Sequence, residues 1–291
     1  MLDIDKEKCT SCGKCAEVCP SGIIESGRVD KKRVVTVAHP DWCNVCGHCM
    51  AVCAPRAITH EQLSYDDFEE LGELDVSPDS MKRLLLARRS VRRYKQEPVP
   101  DDVVAELIEV ATHAGTGGNN QSVGFMVISD AALIQRLEDA VLDVLWNTGV
   151  KFMGNKTVMS ALRLVAGSGT AEQMSRYYTM FKTMRDSGHL QGSMFRNAPA
   201  LVVAYDKKSN RMASLDCAIA MRNVEVMAMT MGLGTCWSGF LVGADKMRPK
   251  RINGVLGLAG DERIQGALML GYPKYTYNVK LPRKARRVTM L

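Results

Sequence analysis

Eight of the ten cysteines fall between Cys9 and Cys53, in two runs that share one spacing. The first is Cys9-x2-Cys12-x2-Cys15-x3-Cys19-Pro20, and the second is Cys43-x2-Cys46-x2-Cys49-x3-Cys53-Ala54-Pro55. Three thiolates at CxxCxxC spacing can wrap three irons of one cubane, while the fourth cysteine of each run is carried away to ligate the other cluster. Cys9, Cys12, Cys15 and Cys53 are therefore expected to hold one [4Fe-4S] cluster, and Cys43, Cys46, Cys49 and Cys19 a second. The alternatives are structural zinc, whose paired CxxC units are usually roughly 15 to 20 residues apart, and disulfides, which a reducing cytoplasm disfavours. His39, His48 and His60 lie nearby, but four thiolates per cluster leave no vacancy, so they read as surface or packing residues.

The remaining sequence has a different character. Residues 1–75 hold 8 Lys+Arg against 14 Asp+Glu, a charge of −6. Subtracting these from the totals of 38 and 32 leaves 30 against 18 beyond residue 75, a charge of +12. With 291 residues and roughly 150 per domain, two domains are expected: 1–62, an acidic linker at 63–79, and 80–291. The longest apolar stretches, such as 198–205, fall short of the roughly 18 residues a membrane span needs, so no span is expected. The N-terminus is charged from its third residue and lacks a secretory apolar core. A cytoplasmic location is expected.

Beyond the linker, Asp79 or Ser80 can cap a helix whose apolar Met81, Leu84, Leu85 and Leu86 precede Arg88 and Arg89. Asp101 and Asp102 open a second helix, which the Gly115–Asn120 loop ends. Strand patterns follow at 123–129, 200–205 and 264–270, and helix patterns at 131–145 and 215–231, the last stopped by Gly232. Residues 146–196 read as a helical cover, with pieces at 160–166 and 172–185. The segment 280–287 holds five basic residues. Strands and helices without a strict βαβ rhythm point to an α+β class.

Arg88-Arg89-Ser90-Val91-Arg92-Arg93-Tyr94 sets four guanidinium groups beside a serine hydroxyl, suited to phosphate, although a basic run is more often a solvated face. Gly115-Thr116-Gly117-Gly118-Asn119-Asn120-Gln121-Ser122 offers amides that could read a heterocycle edge, or is simply a turn. Neither this loop nor 232–239 has the GxGxxG order after a strand, and no GxxxxGK[ST] occurs, so a Rossmann site and a P-loop are unsupported. Taken in order, RRSVRRY, GGNNQS before a strand, FRNAPALVVAY, Asp216 opening a long helix into GLGTCWSGF, and GYP with a basic tail resemble the nitroreductase family of FMN enzymes over residues 80–291. Residues 1–62 resemble the bacterial two-cluster [4Fe-4S] ferredoxins, with Ala54 inserted before Pro55.

The resemblance implies an α+β nitroreductase-like fold, helices packed on a mixed sheet, preceded by a small ferredoxin-like two-cluster domain. It implies a homodimer with FMN at the subunit interface. Carried over by position, Arg88, Arg89, Ser90 and Arg92 match phosphate and ribityl contacts. Asn119 and Gln121 match the loop at the isoalloxazine edge and ribityl chain. Ser238 and Gly239 match the segment near the flavin N5 and O4, and Arg283 with Lys280 the phosphate contact of the tail. Where many relatives read Gln-Pro-Trp, this chain has Gln121-Ser122-Val123.

The implied function is that of a cytoplasmic iron–sulfur flavoprotein oxidoreductase. Clusters pass single electrons to FMN, which reduces a small organic acceptor (a nitro compound, quinone, activated alkene or halide) by hydride transfer from N5. The electrons would come from a low-potential one-electron donor protein or from NAD(P)H. A non-enzymatic relay or redox sensor and a flavin-fragmenting enzyme are the alternatives. No catalytic residue is assigned; Tyr177, Tyr178, Arg185 and His189 in the cover segment are candidate proton donors. Cys217 and Cys236 read as buried hydrophobes and the 18 methionines as core and interface filler. Nucleic acid is not an expected partner, because the arginines fall at flavin positions and aromatics make up only 6%, leaving few stacking platforms.

Overall fold

The computed structural model describes residues 2–188, 190 and 192–291, without the side chain of Thr148. They form two compact units, Met1–Val76 with Gly117–Asn120, and Ser77–Thr116 with Gln121–Leu291.

The first unit runs β1 (Leu2–Ile4), α1 (Lys14–Val18), β2 (Ile24–Val29), β3 (Lys32–Val37), α2 (His48–Ala51) and β4 (Ile58–His60). β1 pairs antiparallel with β4, Leu2 opposite His60, and β2 with β3 through a two-residue turn. Asp30 and Lys31 in that turn have φ of 48° and 64°, the positive pair that matches the twist of a hairpin. The cysteine repeat is visible in the backbone. Gly13 and Gly47, each just before the third cysteine of its run, have φ of 83° and 74° and open α1 and α2. Glycine pays little for that left-handed turn, which starts a helix at Lys14 and at His48, so that the third cysteine of each run lies in its first turn. Leu2, Ile4, Ile23, Ile24, Met50 and Ile58 form the core on which the cysteines pack.

After a short turn at Tyr65–Asp67, closed by a Ser64–Asp67 capping box, the acidic segment is irregular as far as Ser77. The second unit then comprises α3 (Pro78–Ala87), α4 (Asp101–Thr112), β5 (Gly124–Ile128), α5 (Ala131–Thr148), α6 (Lys156–Ala166), α7 (Ser168–Asp186), β6 (Ala200–Lys207), α8 (Ala213–Thr230), β7 (Gly234–Trp237), α9 (Gly239–Met247), α10 (Pro249–Leu256) and β8 (Glu262–Gly271). Ser77, rather than Asp79 or Ser80, caps α3, with Pro78 at the first helical position, where a missing N–H costs nothing. The cover segment is helical as expected, with α6 and α7 longer than their sequence patterns and broken at Gly167, φ 85°. β7, α9 and α10 carry no strong sequence pattern and were not anticipated.

The sheet has the order β5-β6-β8-β7 with antiparallel ladders, and its parallel component is the single bridge of Ser90 to Thr235. Leu201 and Val203 of β6 face the core made with α5, α7, α9 and α10, while Ala200, Val202 and Ala204 face the core made with α4 and α8. Helices on both faces explain why β6 is a continuous apolar run. Each large aliphatic side chain buried here contributes roughly 1.5–3 kcal/mol.

Candidate functional site

In the first unit, Cys9, Cys12, Cys15 and Cys53 line one hollow, and Cys19, Cys43, Cys46 and Cys49 line another. The fourth cysteine of each run stands with the first three of the other. Burial pushes the Cys49 thiol up to about 11, and the neighbouring Cys46, Cys43 and Cys19 add to it. Cys15 is raised by burial too, with Cys53 and Cys9 adding. Such thiols ionise when positive charge is brought among them, as metal binding does. Backbone N–H groups already point at the sulfurs: Ser11 donates to Cys9 at 3.4 Å, Val45 to Cys43 at 3.4 Å and Ala57 to Cys53 at 3.3 Å. The buried Tyr65 hydroxyl lies beside Cys53, and burial first and then Cys53 raise its pKa. Among the described residues no three His, Cys, Asp or Glu side chains converge on a point that would hold a single ion. Four cysteines around each hollow match the four thiolates that a [4Fe-4S] cluster takes.

In the second unit, the basic run after α3 lies along the sheet edge. Ser90 bridges Thr235, the Val91 N–H donates to the Thr235 carbonyl at 2.9 Å, and the Tyr94 hydroxyl donates to the Val91 carbonyl at 2.7 Å. Arg88 is 3.7 Å from Glu225, a buried carboxylate on α8 that Arg222 also approaches at 3.2 Å. Arg89 donates to the carbonyls of Leu86, Arg88 and Val279, while its Nε is buried without a partner. Arg92 is exposed, with Nη1 3.4 Å from the Ser90 carbonyl.

Where β7 turns into α9, the Ser238 N–H donates to the Ala267 carbonyl at 2.8 Å, but its hydroxyl is buried and has no partner. Gly239 opens α9, and a β-carbon there would meet nothing within 4 Å. Arg92, Cys236, Trp237, Ser238 and Gly239 share the wall of a cavity of about 630 Å³. Met153, Met174, Tyr177, Phe181, Arg196 and Met247 also line it. The turn that carries Arg196 is anchored by buried Glu138, whose carboxylate accepts the N–H groups of Gly192 and Met194 at 2.8 and 2.7 Å. Arg196 and Asn197 have φ of 57° and 53°; asparagine adopts this left-handed conformation readily, whereas an arginine holds it only where the surroundings impose it. The arrangement fits a flat polar ring among apolar side chains: an orphaned hydroxyl, N-terminal helix amides and unfilled space at Gly239 lie on one wall.

The remaining predicted residues are placed elsewhere. Asn119, φ 57°, belongs to the first unit, where its Nδ2 donates to the carbonyls of Asn44 and Val45 at 3.0 and 3.1 Å. Gln121 belongs to the second, and its N–H donates to Thr116 Oγ1 at 3.0 Å. Ser122, where many relatives have proline, donates to Asp206 Oδ2 at 2.8 Å. Lys280 and Arg283 lie in the exposed irregular tail. Of the candidate proton donors, Tyr177 lines the cavity, Tyr178 packs on Gly154, and Arg185 lies over the Trp146 ring at 4.4 Å. His189 lies outside the described residues. Cys217 is fully buried, its thiol pushed up to about 12 by burial first and then by Asp206 and Asp216. Sequence reasoning passed over Glu225 and Glu138, although a carboxylate inside the apolar run NVEVMAM was a signal.

A family model described as Nitroreductase family matches residues 85–272, and one described as 4Fe-4S dicluster domain matches residues 3–64. The chain is similar to a putative NADH dehydrogenase/NAD(P)H nitroreductase of Archaeoglobus fulgidus, 22% identical over 197 residues, 66% of this chain and 84% of that protein. Its first part is similar to Ferredoxin-3 of Nostoc sp., 30% identical over 74 residues, 21% of this chain and 76% of that protein. Among solved structures, a nitroreductase with bound FMN from Bacteroides fragilis superposes with a TM-score of 0.55 at 20% identity, over 73% of this chain and 98% of that one. One from Desulfitobacterium hafniense, also with FMN, gives 0.52 at 20% identity, over 72% and 97%. At these identities the structural likeness is one of fold.

Proposed function

Because this chain belongs to the nitroreductase family and carries a 4Fe-4S dicluster domain ahead of it, we propose that it gathers single electrons on two [4Fe-4S] clusters and uses FMN to reduce a small organic acceptor. The observation that carries the reading is the buried, partnerless Ser238 hydroxyl beside Gly239 in the wall of the 630 Å³ cavity. When bound, FMN supplies hydride chemistry at N5 and the clusters supply one-electron steps. Ser238 and the first amides of α9 would hydrogen-bond the ring edge. Arg92, with Arg88, Arg89 and Ser90 behind it, would take up the ribityl chain and phosphate, helped by Lys280 and Arg283, while Gln121 would add to the ring contacts. The methionine- and aromatic-lined wall excludes water from the acceptor, and Arg196 offers it a positive charge. A carrier or sensor would have no use for such a chamber, which favours the enzyme.

The acceptor class is a nitro compound, quinone, activated alkene or halide. The Archaeoglobus relative's name includes NAD(P)H nitroreductase, so reduced nicotinamide stands beside a low-potential one-electron protein as electron source. A second copy of the chain is the proposed partner, with a flavin at each shared interface. The test is anaerobic purification followed by a panel of the four acceptor classes, monitoring reoxidation of the reduced flavin. One FMN, about eight irons and eight sulfides per chain, and fast reoxidation by at least one class are expected. Zinc without acid-labile sulfide, or a flavin that no acceptor reoxidises, would refute the reading.

A further inference from the structure

We propose that His60 donates a hydrogen bond to the sulfur of Cys43 and thereby raises the reduction potential of the cluster that Cys43, Cys46, Cys49 and Cys19 would hold; this rests on the two-cluster reading above. His60 closes β4, opposite Leu2 of β1. Its Nδ1 accepts the backbone N–H of Gln62 at 3.0 Å, a role open only to a ring nitrogen without a proton. The neutral imidazole then carries its proton on Nε2, which stands 3.6 Å from Cys43 Sγ. A backbone amide thus fixes the tautomer, and the tautomer turns the ring into a donor toward the thiolate.

His60 serves the cage of Cys43. Cys43 accepts the Val45 amide as Cys9 accepts that of Ser11, so at these two matched cysteines the backbone donor is the same and the imidazole at Cys43 is the difference. With Pro20 and Pro55 aligned, the residue matching His60 in the first run is Glu25, which is exposed and as a carboxylate has no proton to give. A hydrogen bond to a ligating sulfur spreads the charge of the cluster and favours its reduced, more negative form. An electron entering the unit would therefore settle more readily on the cluster beside His60 than it would without that N–H.

The test uses the intact protein, purified anaerobically, with reduction of both clusters followed by EPR-monitored redox titration. His60→Leu should lower one midpoint by about tenfold in its one-electron equilibrium, ~59 mV. The other midpoint and the iron and sulfide content should hold. His60→Gln, whose amide can offer an N–H toward the sulfur and an oxygen toward Gln62, should keep both midpoints near the parent's. Unchanged midpoints in His60→Leu, or two midpoints falling together, overturn the proposal. Should His60→Leu lose a cluster, the parent decides the matter. With 15N in the imidazole rings, pulsed EPR of the reduced clusters should detect a weak ring-nitrogen coupling that His60→Gln abolishes, and its absence overturns the proposal. A parent without acid-labile sulfide overturns the two-cluster reading, and this inference with it.

Discussion

Ser238 buries a hydroxyl that finds no partner, which costs a fold about 1–3 kcal/mol. In the flavin-free protein Ser238→Ala should therefore raise stability by about 1 kcal/mol, while the loaded protein should lose its flavin faster on dialysis. Urea denaturation of the flavin-free form supplies the sign, and a stability loss there would make the hydroxyl a structural group. Arg88 behaves differently, because its guanidinium is near the carboxylate of Glu225 at 3.7 Å. Glu225 keeps Arg222 at 3.2 Å and the Thr235 hydroxyl at 3.5 Å, so Arg88 is both a flavin candidate and part of the shell around a buried charge. A test of flavin binding at Arg88 has to be read alongside stability, whereas Ser238 separates the two. The pairing through space of residues 88 and 225 could not be read from their spacing.

At the scale of elements, β7 decides where the basic run lies. A β-carbon at Gly234 would stand 2.5 Å from Val91 Cγ2 and 3.0 Å from Pro273 Cγ, so the strand can pass beneath Val91 only as glycine. Gly234→Ala should cost about 1–3 kcal/mol through overpacking and weaken flavin retention, because it pushes Ser90 off its bridge to Thr235. Thermal melts and flavin release together check this, and a destabilised protein that held flavin as tightly as the parent would break the link. In the first unit, α1 and α2 each start at a positive-φ glycine and send a fourth cysteine across to the other hollow. Cys53→Ala should therefore damage the cluster at Cys9, Cys12 and Cys15, whereas spectroscopic loss confined to the other cluster would contradict the crossing. The crossing of the fourth cysteines was legible in the repeat. The short strands β1 and β4 were not, since three residues carry too little periodicity to announce a strand.

For the whole molecule, the apolar residues left uncovered point to association. Met212, Leu215 and Ile219 are 41%, 53% and 40% exposed at the start of α8, spaced three and four apart so that they share one helix face. A second copy covering that stripe would account for apolar side chains in water. Leu215→Glu should therefore yield monomers by light scattering and release flavin, whereas a flavin-loaded dimer would show that this face is not the interface. Among the described residues no helix is long and apolar enough to cross a membrane, in keeping with the absence of a long apolar run in the sequence.

The sequence by itself determined two things. Ligand chemistry was set by cysteine type and spacing, because CxxCxxC brings three thiolates together through local backbone geometry alone. The buried strands and long helices were set by patterns of apolar residues over six or more positions, as in β6, β8 and α8. What only the tertiary structure decided depends on contacts between residues far apart in the chain. The orphaned hydroxyl of Ser238, the carboxylate of Glu138 anchoring the Arg196 turn, and the bond from Asn119 to the Asn44 and Val45 carbonyls are of this kind. So is the imidazole of His60, which the sequence offered as a packing residue and the β1–β4 pairing brings to Cys43. A side chain's type fixes what it can donate or accept, but only the folded chain decides which partner stands within 3 or 4 Å of it.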